Sequence, residues 1–226
     1  MSFHTPKLIL CDLDGTLIDS VPDLGFSVDK MMRELELPQP GEDKVRHWVG
    51  NGIERLVKRA LIGELNGEPE PDLFDKALPI FKQVYAQCNG RSSVLYDGVK
   101  DGLDWMKSQG YQVACITNKA EEFTIPLLEK LGIKSYFELI ICGDTLPKKK
   151  PDPMPLLHAA KHYNIDPHEA LMIGDSINDV AAARSAGFEI ICVSYGYNHG
   201  EDIRTANPDE VIDSFMELPK YLTAKS

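Results

Sequence analysis

Short apolar runs recur along the chain at residues 8–11, 113–116, 139–142, 171–173, 190–193 and, more weakly, 211–212. Each run is apolar throughout rather than alternating, the pattern of a strand buried on both faces of a sheet. From residue 97 onward helical patterns lie between the runs, one after Asp97 and others over residues 121–131, 154–163 and 178–186. Gly110, Gly132 and Gly187 stand just past three of these helices, where left-handed C-caps are expected. Asp152-Pro153 suits an N-cap followed by proline at the first helical position. Apolar strands alternating with helices predict an α/β fold built on a parallel sheet.

Residues 20–90 break that rhythm. They hold no convincing strand, but show amphipathic helical patterns over residues 24–35, 54–62 and 73–85. Pro38-Gln39-Pro40-Gly41 and Gly67-Glu68-Pro69-Glu70-Pro71 punctuate them. A crossover inside an α/β sheet is normally far shorter. The stretch therefore predicts an inserted helical domain, residues 17–94, leaving the sheet after Thr16 and returning near Leu95. Residues 1–16 and 95–226 would then form the α/β core, with the end at 223–226 frayed.

In an open parallel sheet ligands bind at the carboxyl ends of the strands, so each end is a place to look for chemistry. The first carries Asp12 and Asp14, followed by Gly15 and Thr16. Two carboxylates one residue apart repel each other unless a cation sits between them. The second run ends in Thr117-Asn118-Lys119, whose hydroxyl and backbone N–H groups could hold phosphate oxygens or could simply start a helix. Lys148-Lys149-Lys150 reads as a solvated charge cluster, except that Pro151 biases Lys150 toward an extended conformation ahead of a helix. The run at 171–173 ends in Gly174-Asp175-Ser176-Ile177-Asn178-Asp179, so Asp175 can face the same crevice as Asp12. Asp179 lies one helical turn further on.

Composition narrows the partners. A net charge of −11 leaves no basic footprint for nucleic acid or an anionic membrane surface. No run approaches a membrane span and the N-terminus lacks a signal-peptide pattern. The 5 cysteines, at positions 11, 88, 115, 142 and 192, show no metal spacing and are expected to be reduced core residues of a cytoplasmic protein.

Asp12-Leu-Asp-Gly-Thr, Thr117-Asn118, Lys150-Pro151 and Gly174-Asp175-Ser-Ile-Asn-Asp179 together resemble the four ordered motifs of the haloacid dehalogenase-like phosphohydrolases, over about residues 7–215. Within them the chain is most similar to the phosphoglycolate phosphatase group. The cues are the run from Asp12 to Leu24, Trp48-Val-Gly-Asn-Gly-Ile-Glu-Arg-Leu-Val, Gly143-Asp-Thr-Leu-Pro-Lys-Lys-Lys-Pro-Asp-Pro and Ser194-Tyr-Gly-Tyr. The resemblance implies a Rossmann-like core with an inserted helical cap domain. It also implies a small phosphorylated metabolite as substrate, no nucleic-acid or membrane partner, and a monomer or homodimer. By the same resemblance Asp12 is the nucleophile and Asp14 the general acid–base. Mg2+ would be held by Asp12, the Asp14 main-chain oxygen and Asp175. Thr117, Asn118 and Lys150 would bind the phosphoryl group, with Asp179 orienting Lys150 or metal-bound water. Gly50, Asn51 and Gly52 would form a cap loop against the substrate, or an ordinary turn between helices. The alternatives are a phosphosugar mutase, a phosphatase acting on another metabolite such as a sugar phosphate or nucleotide, and a receiver-type switch, the last disfavoured by the long insertion and Asp14.

Overall fold

The computed structural model describes residues 6–222, so the expectation for residues 223–226 lies outside the described residues. The chain enters through β1 (Leu8–Cys11) and a short β2 (Ile18–Asp19). Four helices follow: α1 (Val21–Glu34), α2 (Glu42–Trp48), α3 (Ile53–Ile62) and α4 (Pro71–Cys88). β3 (Val94–Leu95) returns antiparallel to β2. Then come α5 (Val99–Ser108), β4 (Gln112–Ile116), α6 (Glu121–Lys130) and β5 (Leu139–Ile141). The described residues close with α7 (Met154–Tyr163), β6 (Ala170–Gly174), α8 (Ile177–Ala186), β7 (Glu189–Val193), β8 (Glu210–Ile212) and α9 (Leu218–Leu222).

Six strands form one sheet in the order β5-β4-β1-β6-β7-β8, and every pairing in it is parallel. All strand carboxyl ends therefore lie along one edge. Side chains alternate between faces, and each face has its own core. Ile9, Cys11, Val113, Cys115, Leu171 and Ile173 pack with α5 and α6 on one side. Leu8, Leu10, Ala114, Ile116 and Met172 pack with α7 and α8 on the other. The strands read as continuous apolar runs because both of these faces are covered. All five cysteines are buried and unbridged.

The inserted helices have a third core, in which Val21, Leu24, Met31, Trp48, Leu56, Phe81 and Tyr85 meet Phe123 and Tyr197 of the α/β part. This apolar contact seats the helical cap over the carboxyl edge of the sheet. Among the described residues no helix is long and apolar enough to cross a membrane. One local expectation is corrected. Pro153 stands at the N-cap of α7 rather than at its first helical position. Asp152 accepts the Met154 N–H at 3.0 Å, capping from one residue further out.

Candidate active site

The turn after β1 places the first two carboxylates. The N–H groups of Thr16, Leu17 and Ile18 all bond to the Leu13 carbonyl, curling the chain tightly so that Asp12 and Asp14 stand at the sheet edge. Asp12 lies beside Lys150, whose Nζ is 2.7 Å from its Oδ1. That ammonium also donates to Asp179 Oδ1 at 2.7 Å and to the Ile116 carbonyl at 2.7 Å, which uses all three of its protons. Burial alone would lower Lys150, but Asp12 and Asp179 hold it above the ordinary lysine range.

Asp175 directly follows β6, in a cradle of close backbone. Its Oδ1 accepts from the Thr16 hydroxyl at 2.9 Å and its Oδ2 from the Tyr197 N–H at 2.8 Å. A Cβ on Gly15 would fall 2.4 Å from Asp175 Oδ2, and Gly15 also adopts φ +91°. Glycine is therefore required there on both counts. Asp179 is occupied differently. Its Oδ2 takes the N–H groups of Asp175 and Ser176 and the Ser176 hydroxyl, in a capping box at the start of α8. The lysine and this box together position the whole carboxylate.

Ligand atoms of Asp12, Asp175 and Asp179 lie within 4.8 Å of one another, and all three residues are buried. Lys150 is the one ammonium among them, so buried negative charge is left over. Burial, then Asp179, pushes the Asp175 carboxyl up to about 7. Burial also raises Asp12 well above the carboxylate range, against the opposing pull of Lys150. An oxygen-only donor set with a deficit of positive charge fits a hard divalent cation. The cluster is capable of coordinating one. Asp12 and Asp175 have the freer oxygens, since Asp179 already has its partners.

Thr117 and Asn118 follow β4. The Thr117 hydroxyl accepts the Lys119 N–H at 3.1 Å and keeps its own proton to donate. Asn118 spends its side-chain amide otherwise, donating to the carbonyls of Gly50 and Lys150, both at 2.9 Å. It thus pins the cap loop to the lysine-bearing loop. The cap loop itself comes close. A Cβ on Gly52 would lie 3.2 Å from the Asn118 carbonyl oxygen, Lys149 donates to the Asn51 carbonyl at 3.0 Å, and Asn51 faces Asn178 at 3.4 Å. A narrow cleft lies between, lined by Asp12, Asp14, Thr117, Asn118, Lys119, Gly50 and Gly52, with apolar Leu24, Val49, Ile53 and Leu56 above.

The structure also brings in side chains that the motif reading passed over. Lys119 is buried, with Nζ 3.2 Å from both Asp14 oxygens and 2.6 Å from the Tyr85 hydroxyl on α4. Burial would lower that ammonium, but Asp14 and Tyr85 hold it above the ordinary lysine range. Ser20 donates to Asp14 Oδ1 at 2.6 Å. The signal for Lys119 was its place directly after Thr117-Asn118 at a strand end. Tyr85 offered none, being one apolar position in a helical pattern.

A model of the family described as "Haloacid dehalogenase-like hydrolase" matches residues 9–193. A phosphoglycolate phosphatase of Nitrosococcus oceani is 62% identical over 218 residues, covering 96% of this chain and 97% of that protein. One of Nitrosospira multiformis is 44% identical over 227 residues and covers 100% of both. Among solved structures, a "predicted phosphoglycolate phosphatase" of Haemophilus somnus 129PT superposes with a TM-score of 0.92 at 35% identity, over 97% of this chain and 99% of that one.

Proposed function

The chain belongs to the haloacid dehalogenase-like hydrolases and is a phosphoric monoester hydrolase, and on that premise we propose that it hydrolyses 2-phosphoglycolate to glycolate and phosphate with Mg2+. The observation that carries the chemistry is the buried group of Asp12, Asp175 and Asp179 around a single ammonium at the sheet edge. The substrate rests on the relatives' names and on the small cleft closed by apolar cap residues.

Asp12, Asp175 and the Asp14 main-chain oxygen would hold the ion. When bound, it offsets the charge between an anionic nucleophile and an anionic phosphoryl group. Asp12 attacks phosphorus, the ester P–O bond breaks, and Asp14 hands a proton to the departing glycolate oxygen. Asp14 then takes a proton from water as it attacks the aspartyl-phosphate. That P–O bond breaks, which frees phosphate and restores the Asp12 carboxylate. Lys150, the Thr117 hydroxyl and the Asn118 N–H steady the transferring group, and Asp179 orients Lys150. Gly50, Asn51 and Gly52 hold the cap against the core, so bulk water is excluded.

Phosphate release tests the reading directly. kcat/KM for 2-phosphoglycolate should exceed that for glucose 6-phosphate and for mononucleotides by roughly tenfold or more, about 1.4 kcal/mol of differential transition-state binding. A flat profile, or preference for a sugar phosphate or nucleotide, overturns the substrate and leaves the hydrolase.

A further inference from the structure

The cleft holds one cation, Lys119, that pairs with Asp14 but has no assigned contact with the phosphoryl group. Lys150 serves the phosphoryl end of the cleft, where it is held by Asp12, Asp179 and the Ile116 carbonyl. The other nearby cations, Arg55 and Arg59 of the cap and Lys149 of the core, do not line this cleft. Arg55 donates to the carbonyls of Leu65 and Gly67 and to Glu68. Arg59 donates to the carbonyls of Trp48 and Leu65, and Lys149 to that of Asn51. Among the residues lining the cleft, Lys119 is the only cationic side chain.

Its position follows the substrate's shape. A general acid must come within about 2.6–3.2 Å of the ester oxygen it protonates. Whatever hangs from the first carbon beyond that oxygen must then lie beside Asp14, where the Lys119 ammonium sits 3.2 Å from both carboxylate oxygens. Those contacts are long for charge-assisted hydrogen bonds, which run about 2.7–2.9 Å. The ammonium is fixed from behind by the Tyr85 hydroxyl at 2.6 Å. The other cap residues at that end, Leu24, Val49, Ile53 and Leu56, offer no side-chain donor.

We infer that Lys119, held by Tyr85 of the cap, is the residue that recognises a second anionic group on the substrate, a carboxylate one carbon beyond the phosphate ester oxygen. The inference rests on the proposed phosphoglycolate reading and names the side chain that enforces it. It also explains the use of a cap tyrosine: the anion-reading cation is positioned only when the cap is seated, so recognition and closure are tied together.

The test compares 2-phosphoglycolate with its carboxamide analogue, which keeps the ester oxygen and the shape but loses the charge. Wild-type enzyme should favour the acid by roughly thirtyfold or more in kcat/KM, as expected for a desolvated charge pair. Lys119→Met should bring the two substrates within about threefold, chiefly through KM for the acid. Lys119→Arg should recover part of the preference. A wild-type enzyme that does not distinguish the two overturns the substrate reading and this inference with it. A wild-type preference that Lys119→Met retains, or an equal fall on both substrates, overturns the inference alone. If circular dichroism shows that Lys119→Met does not fold, Tyr85→Phe decides. It should weaken the acid selectively, and an equal effect on both substrates overturns the assignment.

Discussion

Replacing Asp12 by asparagine removes the attacking charge while keeping the shape of a side chain packed beside Lys150. Activity should fall by more than a hundredfold, about 2.7 kcal/mol of barrier, in a phosphate-release assay; a smaller loss would mean that another group attacks. Asp14→Asn keeps the backbone that curls around Leu13, yet removes proton transfer worth roughly 10²–10⁴-fold. An unchanged kcat would refute that role. Asp12, Thr117, Asp175 and Asp179 stood out in the sequence because each follows, or closely trails, an apolar run at a strand end, and Lys150 because Pro151 sets it apart from its lysine neighbours. A parallel sheet then brings such ends to one edge. The sequence also left open whether Thr117-Asn118 starts a helix or faces a ligand. The structure shows the Asn118 amide bracing two loops instead. The Lys119–Tyr85 contact was beyond reach for a physical reason: 34 positions separate the pair, and a tyrosine within an amphipathic helix looks the same whether its hydroxyl meets solvent or an ammonium.

The strand runs and the helices between them were legible because burial on both sheet faces leaves an uninterrupted apolar signature. What escaped were the elements too short to carry a period. α2 spans seven residues and buries only Val45 and Trp48, while β2 and β3 have two residues each. Those two strands nevertheless form the crossing between core and cap, and α1 is fastened to the segment just before β3 by a buried carboxylate. Asp23 accepts the Ser92 N–H at 2.9 Å, the Ser93 N–H at 2.9 Å and the Ser93 hydroxyl at 2.6 Å. Asp23→Ala would leave the N–H and hydroxyl of buried Ser93 unpaired, while the exposed Ser92 N–H can turn to water. A buried unsatisfied donor costs about 1–3 kcal/mol, so the variant should lose roughly 3 kcal/mol in urea unfolding. A loss below about 1 kcal/mol would show that the three bonds are replaced by solvent.

The protein carries a net charge of −11, yet its electrostatics are decided by a few buried groups at one edge of the sheet. Without a cation, Asp175 titrates near 7 because burial and Asp179 disfavour its charge, and Asp12 is shifted in the same direction. The sign follows from linkage. A carboxyl whose folded-state value lies above its unfolded value of 3.8 binds its proton more tightly when folded. Its stabilising contribution is therefore present at low pH and is lost as pH rises from about 4 through about 7. Chelated protein should accordingly show a falling Tm between pH 5 and pH 8, over and above any change in an Asp175→Asn variant, which has no carboxyl to titrate. Added Mg2+ should raise Tm more at pH 8 than at pH 5, because protons and the ion compete for the same oxygens. In the same samples, chelation should abolish phosphate release and Mg2+ should restore it, with Asp175→Ala requiring more Mg2+ for half-activity. Full activity after exhaustive chelation, or a Mg2+ stabilisation independent of pH, would separate the buried carboxylates from metal binding and leave their shifted titration as a property of packing alone.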